Sequence, residues 1–125
     1  MVSMKWNVLL HAEFQPEFDT LEPAEKDELL ARLKVLEAFG PQLGRPNVDT
    51  LNGSSFHNMK ELRFQLDGVW RFAFIFDPKR NAIVLCGGDK ENEDSAKFYK
   101  QLIAIADERY AAYLKTLKPQ KNRRA

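Results

Sequence analysis

The stretch "MKELRFQLDGVWRFAFIFD", Met59 to Asp77, decides the fold. Trp70, Phe72, Phe74 and Phe76 alternate with Val69, Arg71, Ala73 and Ile75, and Leu62, Phe64 and Leu66 alternate with Glu61, Arg63 and Gln65. A period of two residues is that of a strand with one strongly apolar face. Asp67-Gly68 between the two runs marks a hairpin turn. A strict two-residue loop would pair Phe64 with Arg71 and mix the faces. A three-residue loop with a glycine bulge pairs Leu66 with Trp70 and Phe64 with Phe72. All the large apolar groups then share one face, and Arg63 and Arg71 share the other, away from the helix-packed core. A slip of one residue would reverse every side chain, so the segregated register is the expected one. Adjacent guanidiniums repel unless an anion lies between them. Glu61, Asp89, Glu91 or Glu93 could supply it internally; an external phosphate could too, because arginine binds phosphate in a planar, bidentate way.

Working outward, Trp6 to Leu10 reads as a first strand, and Phe14, Phe18 and Leu21 have the spacing of a short helical segment. Pro23 suits the first position of a second helix, whose apolar stripe is Leu29, Leu30, Leu33, Leu36 and Phe39 and whose stop is Gly40-Pro41. Pro41 to Asn58 reads as a long loop rich in Gly, Pro, Asn and Ser. "DPKRN", Asp77 to Asn81, turns the chain into the strand "AIVLCGG". A helix from about Asp94 to about Leu117 closes the fold, with Phe98, Leu102, Ile105, Arg109 and Ala112 along one side. The order β-α-α-β-β-β-α predicts an α+β domain over residues 1–117: a mainly antiparallel sheet, an N-terminal helical pair and a C-terminal helix, with the helices on one face.

With 125 residues the chain makes one domain with a real core. Its 44% hydrophobic and 30% charged residues are those of a soluble globular protein, and no apolar run reaches the ~20 residues of a transmembrane helix. The single Cys86 cannot form an internal disulfide, which fits a cytoplasmic location. With only His11 and His57 and no zinc-type spacing, neither a metal nor a cofactor is expected. "GGDK" lacks the spacing of a nucleotide P-loop, which excludes an NTPase. The net charge of +1 is low for a general nucleic-acid coat. The tail 118–125 is basic and reads as a solvated terminus.

"GRPNVDTLNGS", "NMKELRF", "GVWRFAFIFDPKRNAIVLCGGDK" and "FYKQLIAIADERYAAYL", in this order and spacing, resemble the RelE/ParE superfamily of toxins from type II toxin–antitoxin systems. The match is to the HigB-like, phage-derived branch, and it covers nearly the whole chain to about Leu117. The resemblance implies the RelE-like fold, a translation-dependent mRNA endoribonuclease acting on the ribosome, and a helix-turn-helix antitoxin as cognate partner, with no membrane role. Carried over residue by residue, Arg71 falls where these toxins place an arginine on the scissile phosphate, and Lys90 falls near a second basic residue. Arg63 and Lys60 lie near basic residues of the preceding strand, and Tyr99 lies near the aromatic residue of the C-terminal segment. Lys60, Lys79 and Arg80 are the expected RNA contacts.

Metal-free RNA cleavage proceeds by attack of the 2′-hydroxyl on the adjacent phosphate. It needs positive charge on the developing phosphorane, here Arg71, Arg63 and Lys90, together with acid–base groups. His57, in "SSFHNM", is the natural acid–base candidate because an unperturbed imidazole titrates near neutrality. His11, at a strand end beside an apolar run, reads as structural. Two other readings fit the same fold: a non-catalytic toxin that inhibits DNA gyrase, and a decayed toxin that only binds its antitoxin.

Overall fold

A computed structural model describes residues 5–117; the basic tail lies outside the described residues. Its elements are β1 (Asn7–Leu10), α1 (Gln15–Asp19), α2 (Pro23–Phe39), β2 (Val48–Thr50), β3 (Lys60–Gln65), β4 (Val69–Phe76), β5 (Asn81–Asp89) and α3 (Ser95–Leu117). The five strands form one sheet in the order β1-β5-β4-β3-β2, antiparallel except that β1 runs parallel to β5. The α+β class with an N-terminal helical pair and a C-terminal helix is therefore as expected. No described helix is long and apolar enough to cross a membrane.

Local chemistry sets the helix limits. Pro23 begins α2, and Glu22 and Glu25 form a reciprocal capping box that satisfies otherwise orphan N–H groups. The helix ends on Gly40, whose φ of +58° and whose approach to Trp6, 2.5 Å from the position a Cβ would take, exclude a side chain. In α3 the Asp94 carboxylate accepts from the N–H of Ala96 at 3.0 Å, satisfying one such group.

Helices cover both faces of the sheet, not one. On the first face Leu62, Phe64, Trp70, Phe72, Phe74 and Val84 pack against Phe14 and the α2 residues Leu29, Leu33 and Leu36. On the second, Ala73, Ile75, Ile83, Leu85 and Cys86 pack against Phe98, Leu102, Ala106 and Tyr110 of α3. The face shared by Arg63 and Arg71 is thus partly an apolar core, and Arg71 is itself buried at 8% exposure.

The hairpin register also differs from the expected one. Phe64 pairs with Trp70, Leu62 with Phe72 and Arg63 with Arg71, with Leu66, Asp67 and Gly68 as the loop. This is two residues from the expected pairing, and a shift of two preserves parity, so each side chain keeps its face. The turn tightens because Asp67 takes φ 48° and the Asp89 carboxylate accepts from the N–H of Val69 at 2.8 Å. The same carboxylate lies 2.5 Å from where a Cβ on Gly68 would sit.

Two further expectations are corrected. The Pro41–Asn58 segment contains the edge strand β2, paired with Lys60–Leu62. Leu30 and Phe39 are 45% and 57% exposed, so the buried stripe of α2 is only Leu29, Leu33 and Leu36.

Candidate functional site

Arg63 and Arg71 are cross-strand neighbours in mid-hairpin, which places their Cα atoms about 4.5–5.5 Å apart on one face. Two side chains answer their charge. The buried Glu61 carboxylate lies 3.7 Å from Arg71 Nε, and the Asp49 carboxylate of β2 lies 3.5 Å from Arg63 Nη1. Glu61 was one of the internal anions the sequence offered. Asp89 instead braces the hairpin turn, and Asp49 has no signal in the sequence because β2 itself has none.

Tyr99 projects from the first turns of α3 onto this pair. Its hydroxyl donates to Glu61 Oε1 at 2.8 Å and accepts from Arg71 Nε at 3.1 Å. Arg71 Nη1 donates to the Trp70 carbonyl at 2.9 Å, which fixes the guanidinium plane. Burial pushes the Tyr99 hydroxyl above its ordinary value, and donation to Glu61 adds to this against the opposing pull of Arg71. The hydroxyl therefore stays protonated at neutral pH, linking a cation to a carboxylate.

Lys90 completes the cluster. Its backbone N–H donates to the Val69 carbonyl at 2.8 Å, and its ammonium sits 5.9 Å from the centre of the Tyr99 ring. Asp89 holds both strand ends: one carboxylate oxygen accepts from Val69 N–H and, at 2.9 Å, from Glu91 N–H. The acidic run after Lys90 is thus turned by a local hydrogen bond.

The structure brings Arg71, Arg63, Tyr99 and Lys90 together and leaves other candidates elsewhere. Lys60 pairs with Thr50 and Phe74, so it has the opposite parity from Arg63 and Arg71. Lys79 and Arg80 occupy the turn at the far end of β4, about 17 Å from Arg71 along the strand, where the Arg80 guanidinium lies 4.5 Å from the Trp6 ring centre. His57 is exposed in the β2–β3 loop. That loop is anchored on α3 through Ser54 and Ser55 to Asp107 and through Phe56 to Tyr110. Those anchors lie about 12–16 Å along the helix from Tyr99. His11 is structural: its Nδ1 accepts from Glu13 N–H at 3.0 Å, leaving Nε2 to donate to the Arg109 carbonyl at 3.1 Å.

Sequence reasoning missed the chemical place of Glu61, whose position beside Arg63 in a strand suggested only an ion pair. It also missed Arg32 and Arg45. With Asn47, Arg63, Phe64 and Arg71 they line a cleft of about 530 Å³ at the outer edge of β3.

Comparison with known proteins places the chain. Residues 16–111 match the family described as phage derived protein Gp49-like (DUF891). The chain is 41% identical over 107 residues to the toxin HigB3 of Mycobacterium tuberculosis (strain ATCC 25618 / H37Rv), covering 86% of this chain and 92% of that protein. It is 42% identical over 98 residues to the toxin HigB2 of the same organism, covering 77% of this chain but 48% of that protein. The fold resembles that of a mutant of the E. coli toxin RelE in the free state, with a TM-score of 0.59 at 14% identity over 81% of this chain and 96% of that one. It also resembles an archaeal RelE–RelB complex from Pyrococcus horikoshii OT3, with a TM-score of 0.52 at 20% identity over 71% of this chain and 99% of that one. The chain belongs to the phage-derived Gp49-like family, as a HigB-type toxin of the type II toxin–antitoxin class with a RelE-like fold.

Proposed function

We propose that this toxin is an endoribonuclease that cuts messenger RNA on the translating ribosome without a metal. The observation that carries the reading is the Tyr99 hydroxyl held between Arg71 and Glu61, with the Lys90 ammonium over the same ring. This arrangement has the groups that transesterification of RNA requires. The scissile phosphate sits against Arg71 and Lys90, whose charges stabilise the phosphorane as its oxygens gain negative charge. The substrate 2′-hydroxyl gives its proton to Tyr99 as Tyr99 passes its own to Glu61. The 2′-oxygen forms a bond to phosphorus, the bond to the 5′-oxygen breaks, and Lys90 protonates that leaving oxygen. The products are a 2′,3′-cyclic phosphate and a free 5′-hydroxyl.

A helix-turn-helix antitoxin is the proposed partner, supported by the RelE–RelB complex among the structures of like fold. The test is induction in growing cells, with cut sites mapped by primer extension. Lys90→Ala should lower cleavage by about 10²–10³, the usual effect of losing one transition-state contact. Intact messages together with gyrase-dependent DNA breaks would overturn the nuclease reading.

A further inference from the structure

We infer that the cleft beside the proposed catalytic cluster is a second phosphate site, in which the Asp49 carboxylate holds the place of an RNA phosphate on Arg45 and Arg63. The inference deepens the nuclease reading and rests on it for the identity of the ligand.

The cleft exists because β2 is short. It begins only at Val48, opposite Leu62, and after one more backbone bond, from the Arg63 N–H to the Asn47 carbonyl at 2.8 Å, the outer edge of β3 towards the hairpin turn carries no strand. Arg71 lines this cleft as well as the Tyr99 cluster, so the two sites are continuous. A polyanion seated on Arg71 would run over Arg63 towards Arg45.

The charges are unequal. Arg32 donates to Glu28 at 2.6 Å, and Arg71 faces Glu61. Arg45 and Arg63, by contrast, share the single carboxylate of Asp49, at 2.7 and 3.5 Å. Four guanidiniums therefore face three carboxylates, and the surplus lies at the Asp49 position. The Arg45 side chain is 74% exposed, so it can turn to a ligand without disturbing the core. Arg45 Nε and Nη2 both donate to one Asp49 oxygen, at 3.1 and 2.7 Å, as a guanidinium grips a phosphate oxygen.

Phosphate is favoured over an acidic protein segment by that continuity with Arg71.

The test is binding of a labelled 2′-O-methyl RNA octamer, which cannot be cut, across a salt series. Arg45→Gln and Arg63→Gln should each weaken binding about tenfold, the size of one charge-assisted contact. Each should reduce the slope of log affinity against log salt by about 0.7, the value for one phosphate on a single strand. Asp49→Asn should tighten binding. No binding by the natural protein at low salt, an unchanged affinity in Arg45→Gln, or weaker binding in Asp49→Asn would overturn the inference. So would displacement of the octamer by a poly-glutamate peptide at lower concentration than by unlabelled octamer, which would mark an acidic protein segment as the ligand. Arg45-dependent binding in a protein that cuts no ribose substrate would leave the cleft standing and remove the nuclease reading. Cleavage indifferent to Arg45 would do the reverse.

Discussion

Truncating Arg71 should destabilise the domain, because its side chain is one half of a buried ion pair. Arg71 and Glu61 are 9% and 8% exposed as side chains. Arg71→Ala leaves Glu61 with the Tyr99 hydroxyl and no cation, a carboxylate stranded in a nearly dry site. Breaking a buried pair from one side costs about 3–5 kcal/mol, most of it the unpaired charge that remains. Against a total stability of about 5–15 kcal/mol for a domain of this kind, the variant would be marginal at 37 °C. Glu61→Gln should also destabilise, by stranding the guanidinium. The double variant removes both charges, so its loss should fall short of the sum of the singles by about 1–3 kcal/mol. Urea melts followed by circular dichroism and by the fluorescence of Trp6 and Trp70 give all three values. An Arg71→Ala loss below about 1 kcal/mol, or strict additivity, would refute the buried pair. It follows that loss of toxicity in Arg71→Ala alone does not show chemistry, and that Lys90 is the better probe.

Phe74 is 1% exposed between the sheet and α2, so Phe74→Ala should cost about 3–5 kcal/mol in the same melts; a loss under about 1 kcal/mol would remove it from the core. Stability should also fall at alkaline pH. Burial and the bond to Asp77 push the Tyr113 hydroxyl up to about 12, and burial pushes the Cys86 thiol up to about 12. Their unfolded values are near 10 and 8.5. Each group holds its proton more tightly in the fold, so its contribution is complete below the unfolded value and is lost as pH rises towards about 12. Thermal melts should therefore move down progressively above about pH 9, and less so in Tyr113→Phe; a melting temperature flat to pH 11 would contradict this.

Much of the fold was legible because strand parity is robust. The hairpin register differs from the expected one by two residues, yet Arg63 and Arg71 still share a face. What parity did not show is what that face meets. Val69, Ala73 and Ile75 beside Trp70, Phe72 and Phe74 make β4 apolar on both sides, the pattern of a strand covered twice, and α3 covers the second side. Arg71 is buried for that reason. β2 was invisible because three residues between Pro46 and a turn carry no period. The family resemblance groups Lys60 with Arg63, although its even position puts it across the sheet. His57 is a candidate by residue type alone, and nothing local reveals that its loop docks on the far half of α3. Tyr99 and Lys90 were reached only through the family resemblance, since a helix tyrosine and a loop lysine have no pattern of their own.

The central claim is that the Arg71–Tyr99–Glu61–Lys90 cluster cuts RNA by attack of a 2′-hydroxyl. Its most direct test is a purified ribosome complex carrying a message with one 2′-deoxy nucleotide immediately 5′ to the mapped cut, compared with the all-ribose message. The account predicts that the ribose message is cut to 2′,3′-cyclic phosphate and 5′-hydroxyl ends, while the deoxy message stays whole at that position. Cleavage of the deoxy message at the same bond, or a ribose message left intact by the folded toxin, would contradict it.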